Sequence, residues 1–106
     1  EELLARLGSR QVRNQGTLGG NIGTASPIGD IPPFLLAAGA RLRLSSLSGS
    51  RELSVAEFFL DYRKTALRPG ECIERILIPV PAQGEVLRAY KISKRLDDDI
   101  SALCGV

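Results

Sequence analysis

An α+β fold, with a mostly antiparallel β-sheet and short flanking helices, is predicted by three features of the sequence. Apolar residues alternate with polar ones in short runs. The connections between those runs are short and turn-like, and the helical signals are brief and capped. At 106 residues the chain is long enough for one core but short for a domain that holds a large cofactor by itself.

Residues 1–7 read as the tail of a helix, with Leu3, Leu4 and Leu7 on one face and Gly8 as its stop. Residues 10–14 follow, then a glycine-dense stretch over 15–24. Four glycines in eight positions (Gly16, Gly19, Gly20, Gly23) make a poor helix or strand interior, so a loop is predicted whose backbone conformation matters. Residues 24–30 continue it with Ser26, Pro27 and Gly29. Asp30 stands at an N-cap position ahead of Pro32 and Pro33, which suit a first helical turn, and Gly39 ends that helix.

Leu42, Leu44 and Ser46 alternate with Arg41, Arg43 and Ser45, the pattern of a half-buried strand. A turn at 48–50 leads to a second short strand, 51–53, forming a hairpin. Ser54 and Glu57 make a capping box for a short helix carrying Phe58 and Phe59. Residues 69–71 are a turn, 72–79 and 86–93 are strands joined through 81–84, 94–99 is a charged loop, and a last strand begins at Ile100. No internal repeat is visible. Both ends read as interrupted elements, so a segment of a longer protein is expected.

Composition excludes several functions. The hydrophobic share of 43% and charged share of 25% are those of an ordinary globular protein. A net charge of +2 spread over scattered basic residues is too small to argue for nucleic acid or a membrane surface, and neither is expected as a partner. No apolar run is long enough to span a membrane, and no signal-peptide pattern opens the chain. Cys72 and Cys104 lie far apart with no histidine to join them, which rules out a zinc site. Two buried thiols in a reducing compartment are expected, and with them a cytoplasmic location. Without histidine there is no nucleophilic triad, so the chemistry falls to a bound cofactor.

Four features remain as candidates. The glycine segment offers backbone N–H groups to a phosphate, with hydroxyls from Thr17, Thr24 and Ser26, the amide of Asn21 and the start of the helix near Asp30 as further donors. Its spacing matches neither the Walker nor the dinucleotide fingerprint, and a tight surface turn explains it as well. Asp30 reads as an N-cap or as a carboxylate for ribose or adenine. Lys91 reads as a snorkelling sheet-edge lysine or as positive charge beside a bound cofactor. The run Lys94, Arg95, Leu96, Asp97, Asp98, Asp99 is a solvated loop or a reader of a second polar ligand.

Taken together, the runs 11–14, 17–22 and 24–30 resemble the second FAD-binding segment of molybdenum hydroxylase flavoproteins. The resemblance continues through Phe58-Phe59, Tyr62-Arg63-Lys64-Thr65, Pro69-Gly70-Glu71 and 76–79. It ends with Tyr90-Lys91, Ser93-Lys94-Arg95 and Asp98-Asp99-Ile100, having covered nearly everything from Gln11 onward. Tyr62 to Thr65 and the 94–100 loop look like xanthine dehydrogenase rather than the carbon monoxide dehydrogenase flavoprotein.

The resemblance implies the second subdomain of a molybdopterin dehydrogenase-type FAD-binding domain over 1–86, and the start of the C-terminal flavoprotein subdomain over 87–106. It further implies an FAD that receives electrons from iron–sulfur clusters and passes them to NAD during purine hydroxylation, with an iron–sulfur domain and a molybdenum-binding subunit as partners. Thr17, Gly19, Gly20 and Asn21 would lie along the FAD pyrophosphate, with Thr24 and Ser26 as nearby donors. Asp30 would bond the adenosine ribose, Ile73 would pack on the isoalloxazine ring, and Lys91 would bond the flavin's pyrimidine end. Arg95, Asp97, Asp98 and Asp99 would lie on the NAD side. The family's other phosphate loop has no counterpart in these residues, so weak or no FAD binding by this chain alone is expected. Two alternatives stay open: a family member acting on an aldehyde, an aromatic compound or carbon monoxide, and a non-catalytic fragment with a structural glycine loop.

Overall fold

A computed structural model describes residues 2–96 and 98–106. The sheet that organises it has strand order β2-β1-β5, from β1 (Arg41–Ser46), β2 (Gly49–Ser54) and β5 (Cys72–Leu77), all antiparallel. The predicted alternation in β1 holds. Leu42 and Leu44 are fully buried while Arg41 is exposed, and each such leucine contributes about 1.5–3 kcal/mol relative to exposure.

Opposite β1, the register pairs Leu42 with Ile76 and Leu44 with Ile73, and leaves Glu74 as an extra residue. A regular strand would point residues three apart to opposite faces. The bulge at Glu74 turns both isoleucines to the core side instead, where both pack against the buried cluster. Glu74 is left outside, accepting from Ser45 and paired with Arg43 and Arg75.

Four helices and a capped turn cover this core: α1 (Glu2–Ala5), α2 (Arg10–Gln15), α3 (Leu18–Gly23), α4 (Ile31–Ala37) and α5 (Val55–Phe58). The capping box is present at α5, where the Ser54 hydroxyl accepts from the Glu57 N–H and Glu57 reaches back to the Ser54 N–H. Phe58 is buried on α5, but Phe59 leaves the helix and opens β3 (Phe59–Asp61), which pairs with β4 (Lys64–Thr65). The two rings meet edge to face at 5.2 Å. This small ribbon had no signal in the sequence.

The glycine segment is the largest departure from expectation. It is not a loop. Thr17 caps α3 by accepting the Gly20 N–H, and residues 18–23 form helix. Gly19 and Gly23, four apart, share the face that packs on β5, where an added Cβ would stand 3.9 Å from Ile73 at either position. A Cβ on Gly20 would fall 2.9 Å from the Thr17 hydroxyl oxygen. Tertiary contact and a good cap therefore outweigh the weak helix propensity of glycine, about 1 kcal/mol per residue.

Smaller corrections follow the same logic. The hairpin turns at Leu47 and Ser48, so Gly49 already belongs to β2. The strand predicted over 86–93 contracts to β6 (Tyr90–Ile92), and the one predicted from Ile100 to β7 (Leu103–Gly105). These two pair as a separate antiparallel ribbon. The thiols are not both buried: Cys72 is exposed and Cys104 is half-buried. Among the described residues no helix is long and apolar enough to cross a membrane.

Candidate functional site

Leu4, Val12, Leu18, Ile28 and Ile100 are each between 43% and 57% exposed, a cost that scattered surface positions would not explain as a group. All five converge on one cavity of about 610 Å³, within the range of about 300–1,000 Å³ usual for small-molecule sites. Its polar lining includes Arg13, Thr17, Asn21, Ser26, Asp30, Lys91, Asp98 and Asp99. An apolar wall with a few placed polar groups suits a ligand that is part aromatic ring and part polar chain.

At the inner end, Lys91 Nζ donates to Asp30 Oδ2 at 2.8 Å, with the two side chains only 5% and 4% exposed. Asp30 sits at the start of α4 but makes no side-chain cap bond. Its carboxylate is taken by Lys91 and by the Ser101 hydroxyl, which donates to Oδ1, so the expected capping role is replaced by an ion pair. A buried pair of this kind persists only when its remaining lone pairs are also satisfied. The Cys104 thiol lies 3.9 Å from the Asp30 carbonyl oxygen, and burial, reinforced by the Asp30 charge, raises its pKa. Across the ribbon Lys91 faces Cys104, so β6, β7 and the start of α4 meet at Asp30.

Asn21 lies on the cavity face of α3. Its Oδ1 is buried and, among the described residues, has no hydrogen-bond partner. A buried acceptor in that state calls for a donor. Thr17 shares this face, its oxygen already accepting from Gly20. Gly19 and Gly20 lie outside the lining, as does Thr24, whose hydroxyl donates to the Gly20 carbonyl at 2.7 Å. The N–H groups of Gly20 and Asn21 are spent on Thr17, so successive free N–H groups do not form a cradle at these positions. Ile73 is packed beneath α3 and is likewise outside the lining.

In the charged loop, Asp99 lines the cavity and accepts from the backbone N–H groups of Arg95 and Ile100, and from the Arg95 side chain at 3.4 Å. The bond from the Arg95 N–H contributes most to lowering its pKa. Asp98 takes the left-handed conformation at φ +48°, which aspartate tolerates better than most residues. Asp97 lies outside the described residues.

Three contributors were missed in the sequence. Arg13 donates to the Leu7 and Gly8 carbonyls at 3.1 and 2.8 Å, closing one wall of the cavity. Arg6 donates to the Lys91 carbonyl at 2.6 Å, and Ser101 holds Asp30. Arg6 and Ser101 lie outside the runs that carry the resemblance, and Arg13 lies within the run 11–14 without having been given a role. The five apolar residues of the wall were not recognised as a group either, because they are far apart in sequence and Leu4 and Ile100 read as parts of a helix face and a strand.

Residues 1–81 match the family described as the FAD binding domain in molybdopterin dehydrogenase. The chain belongs to that family. It is 45% identical to a nicotinate hydroxylase of Emericella nidulans over 92% of its length, and 43% identical to a xanthine dehydrogenase/oxidase of Gallus gallus over 99%. It spans only 7% and 8% of those two proteins. Among solved structures it resembles the carbon monoxide dehydrogenase of Hydrogenophaga pseudoflava, with a TM-score of 0.87 and 30% identity over 94% of this chain and 34% of that one. A quinoline 2-oxidoreductase from Pseudomonas putida is similar at TM-score 0.82 and 29% identity, over 93% of this chain and 34% of the other. The α+β architecture is shared with these two solved structures over the matched region.

Proposed function

We propose that this chain forms one wall of an FAD site in a xanthine dehydrogenase-like molybdenum hydroxylase. The observation that carries the reading is the buried Lys91–Asp30 pair at the inner end of an apolar cavity, in a chain of the FAD-binding family. The residues present fit the cofactor. Leu4, Leu7, Val12 and Ile100 offer apolar surface for a ring, Lys91 and Arg13 supply positive charge, and the unpartnered Asn21 Oδ1 asks for a hydroxyl donor. A ribityl or ribose hydroxyl supplies such a donor, and an ionised phosphate does not.

FAD, when bound, supplies the electron-carrying chemistry. The chain's own residues bind and orient it. Because Asp30 and Lys91 are 2.8 Å apart, we read them as serving the same end of the ligand rather than dividing the adenosine ribose and the flavin's pyrimidine end between them. We assign both to the flavin end, where Lys91 places its charge beside the ring. Thr17, Asn21 and Ser26 then follow the sugar and pyrophosphate. Gly19, Gly20 and Thr24 shape α3 behind them, and Ile73 supports that helix from β5.

Arg95, Asp98 and Asp99 stand on the acceptor side, where their charge would govern the approach of NAD. Asp97 belongs to the same run. We read 1–86 as the second FAD-binding subdomain and 87–106 as the start of the next, a division supported by the separate β6–β7 ribbon. The iron–sulfur clusters and the molybdopterin, the NAD acceptor, purine as substrate and a cytoplasmic setting complete the proposal.

A second reading keeps the flavin wall but changes the substrate. It is favoured by the 45% identity to nicotinate hydroxylase, no lower than that to the xanthine dehydrogenase/oxidase. Both readings place substrate choice outside this chain. Titration of the purified chain with FAD tests the shared part. Weak binding is expected, seen as fast-exchange NMR shifts at Thr17, Asn21, Asp30 and Lys91 without stoichiometric quenching of flavin fluorescence. No shift at millimolar FAD would remove the site, and tight stoichiometric quenching would show that one wall suffices.

A further inference from the structure

The Asp30–Lys91 pair is held from several directions, and each contact fixes something different. The Lys91 backbone is tied by Arg6 to its carbonyl at 2.6 Å and by β7, since Lys91 pairs with Cys104. The Ala102 N–H donates to the Ile92 carbonyl at 2.7 Å and sets the ribbon beside it. The Asp30 backbone is set by the start of α4. None of these contacts fixes the rotation of the Asp30 carboxylate. Lys91 holds Oδ2, and the Ser101 hydroxyl holds the other oxygen, donating to Oδ1 from a part-buried position 71 residues away in sequence.

Ser101 does not line the cavity, whereas Asp30 and Lys91 both do. It acts from behind. With Oδ1 occupied, the carboxylate presents Oδ2 alone to Lys91. An ammonium carries three N–H donors, and one bond to Oδ2 leaves the others directed away from the carboxylate. If Oδ1 were released, a buried carboxylate would recover its lost hydrogen bond by turning both oxygens toward Lys91. The ammonium would then be drawn inward from the cavity.

We propose that Ser101 is a positioning residue of this site: its hydroxyl locks the Asp30 carboxylate so that the Lys91 ammonium faces the cavity in the orientation a bound flavin requires. The last clause rests on the flavin reading above, and the first does not. The residue sits in the ribbon proposed to begin the next subdomain. The site is therefore completed across that boundary by a group that never touches the ligand.

The test uses the full chain labelled with 15N-lysine. It has only three lysines, Lys64, Lys91 and Lys94, so the one buried ammonium is identifiable in an ammonium-selected NMR spectrum. Ser101→Ala and Ser101→Val should each displace or abolish the Lys91 ammonium signal, and should weaken the response of the cavity amides to FAD about tenfold, the scale of one hydrogen bond to a charged group. Ser101→Thr should restore both. Valine and threonine have nearly the same shape, so their difference isolates the hydroxyl from packing even if the alanine variant folds poorly. An unchanged Lys91 ammonium signal in the valine variant overturns the proposal. If that signal moves in valine and returns in threonine, while millimolar FAD leaves it untouched in the parent chain, the positioning role stands and the flavin reading fails.

Discussion

The two ends of the molecule are held together by different chemistry. Around β1, β2 and α5 the binding is apolar, with Leu42, Leu44, Val55 and Phe58 all fully buried. At the β6–β7 ribbon it is polar: Tyr90, Ile92 and Leu103 are between 57% and 59% exposed, and hydrogen bonds through Asp30 and from Arg6 connect it to the body. The first arrangement is non-directional and tolerates small shifts. The second depends on a few hydrogen bonds and so fixes charged atoms at defined positions. A scaffold needs the first, and a site that must orient a ligand needs the second.

The sharpest way to separate them is to damage each in turn. Phe58→Ala removes the largest fully buried side chain and should cost about 3–5 kcal/mol, lowering the denaturant midpoint for every element together. Asp30→Ala leaves Lys91 buried without its partner and should cost about 3 kcal/mol. Here the loss should be local, with amide exchange accelerated in 90–92 and 103–105 but not in β1. Replacing both partners with apolar residues, as in Asp30→Leu with Lys91→Met, should recover most of that stability while abolishing the response to FAD. Uniform exchange across the chain in Asp30→Ala would erase the distinction between the two ends.

A smaller effect concerns a second ion pair. Arg51 donates to both Glu71 oxygens at 2.7 and 2.8 Å, and the bond from Arg51, joined by one from the Arg68 N–H, holds the Glu71 pKa down to about 2. Because the folded value is depressed, this contribution is present in full above the ordinary value of 4.5 and is lost as pH falls toward about 2. Acid denaturation of Glu71→Gln should therefore show a shallower loss of stability below pH 4.5 than the parent. Equal slopes would mean that Arg51 gains nothing by pairing.

Much of the scaffold was legible because its signals are local. Period-two alternation marked Leu42 and Leu44, the Ser54–Glu57 pattern marked α5, and the turn at 69–71 is where it was expected. The β5 bulge was not legible, since an extra residue at Glu74 shows only in the register against β1. The glycine segment misled for a physical reason. Composition argued for a loop, while Thr17 as a cap and the Gly19–Gly23 spacing as a packing face carried the opposite message. Asp30 and Lys91 were both singled out, but their separation of 61 residues hid the fact that they form one group. Ser101 carries no motif, and Arg13 sits in the matched run 11–14 with nothing local to show its role, so both became visible only through their partners.

The most direct test of the central claim uses the two halves of FAD as separate probes. If Lys91 and Asp30 form the flavin end of the site, FMN at millimolar concentration should displace the amide signals of Asp30, Lys91 and Ile100. ADP should act instead on Thr17 and Asn21. Shifts at Asp30 and Lys91 with ADP but not with FMN would contradict the account.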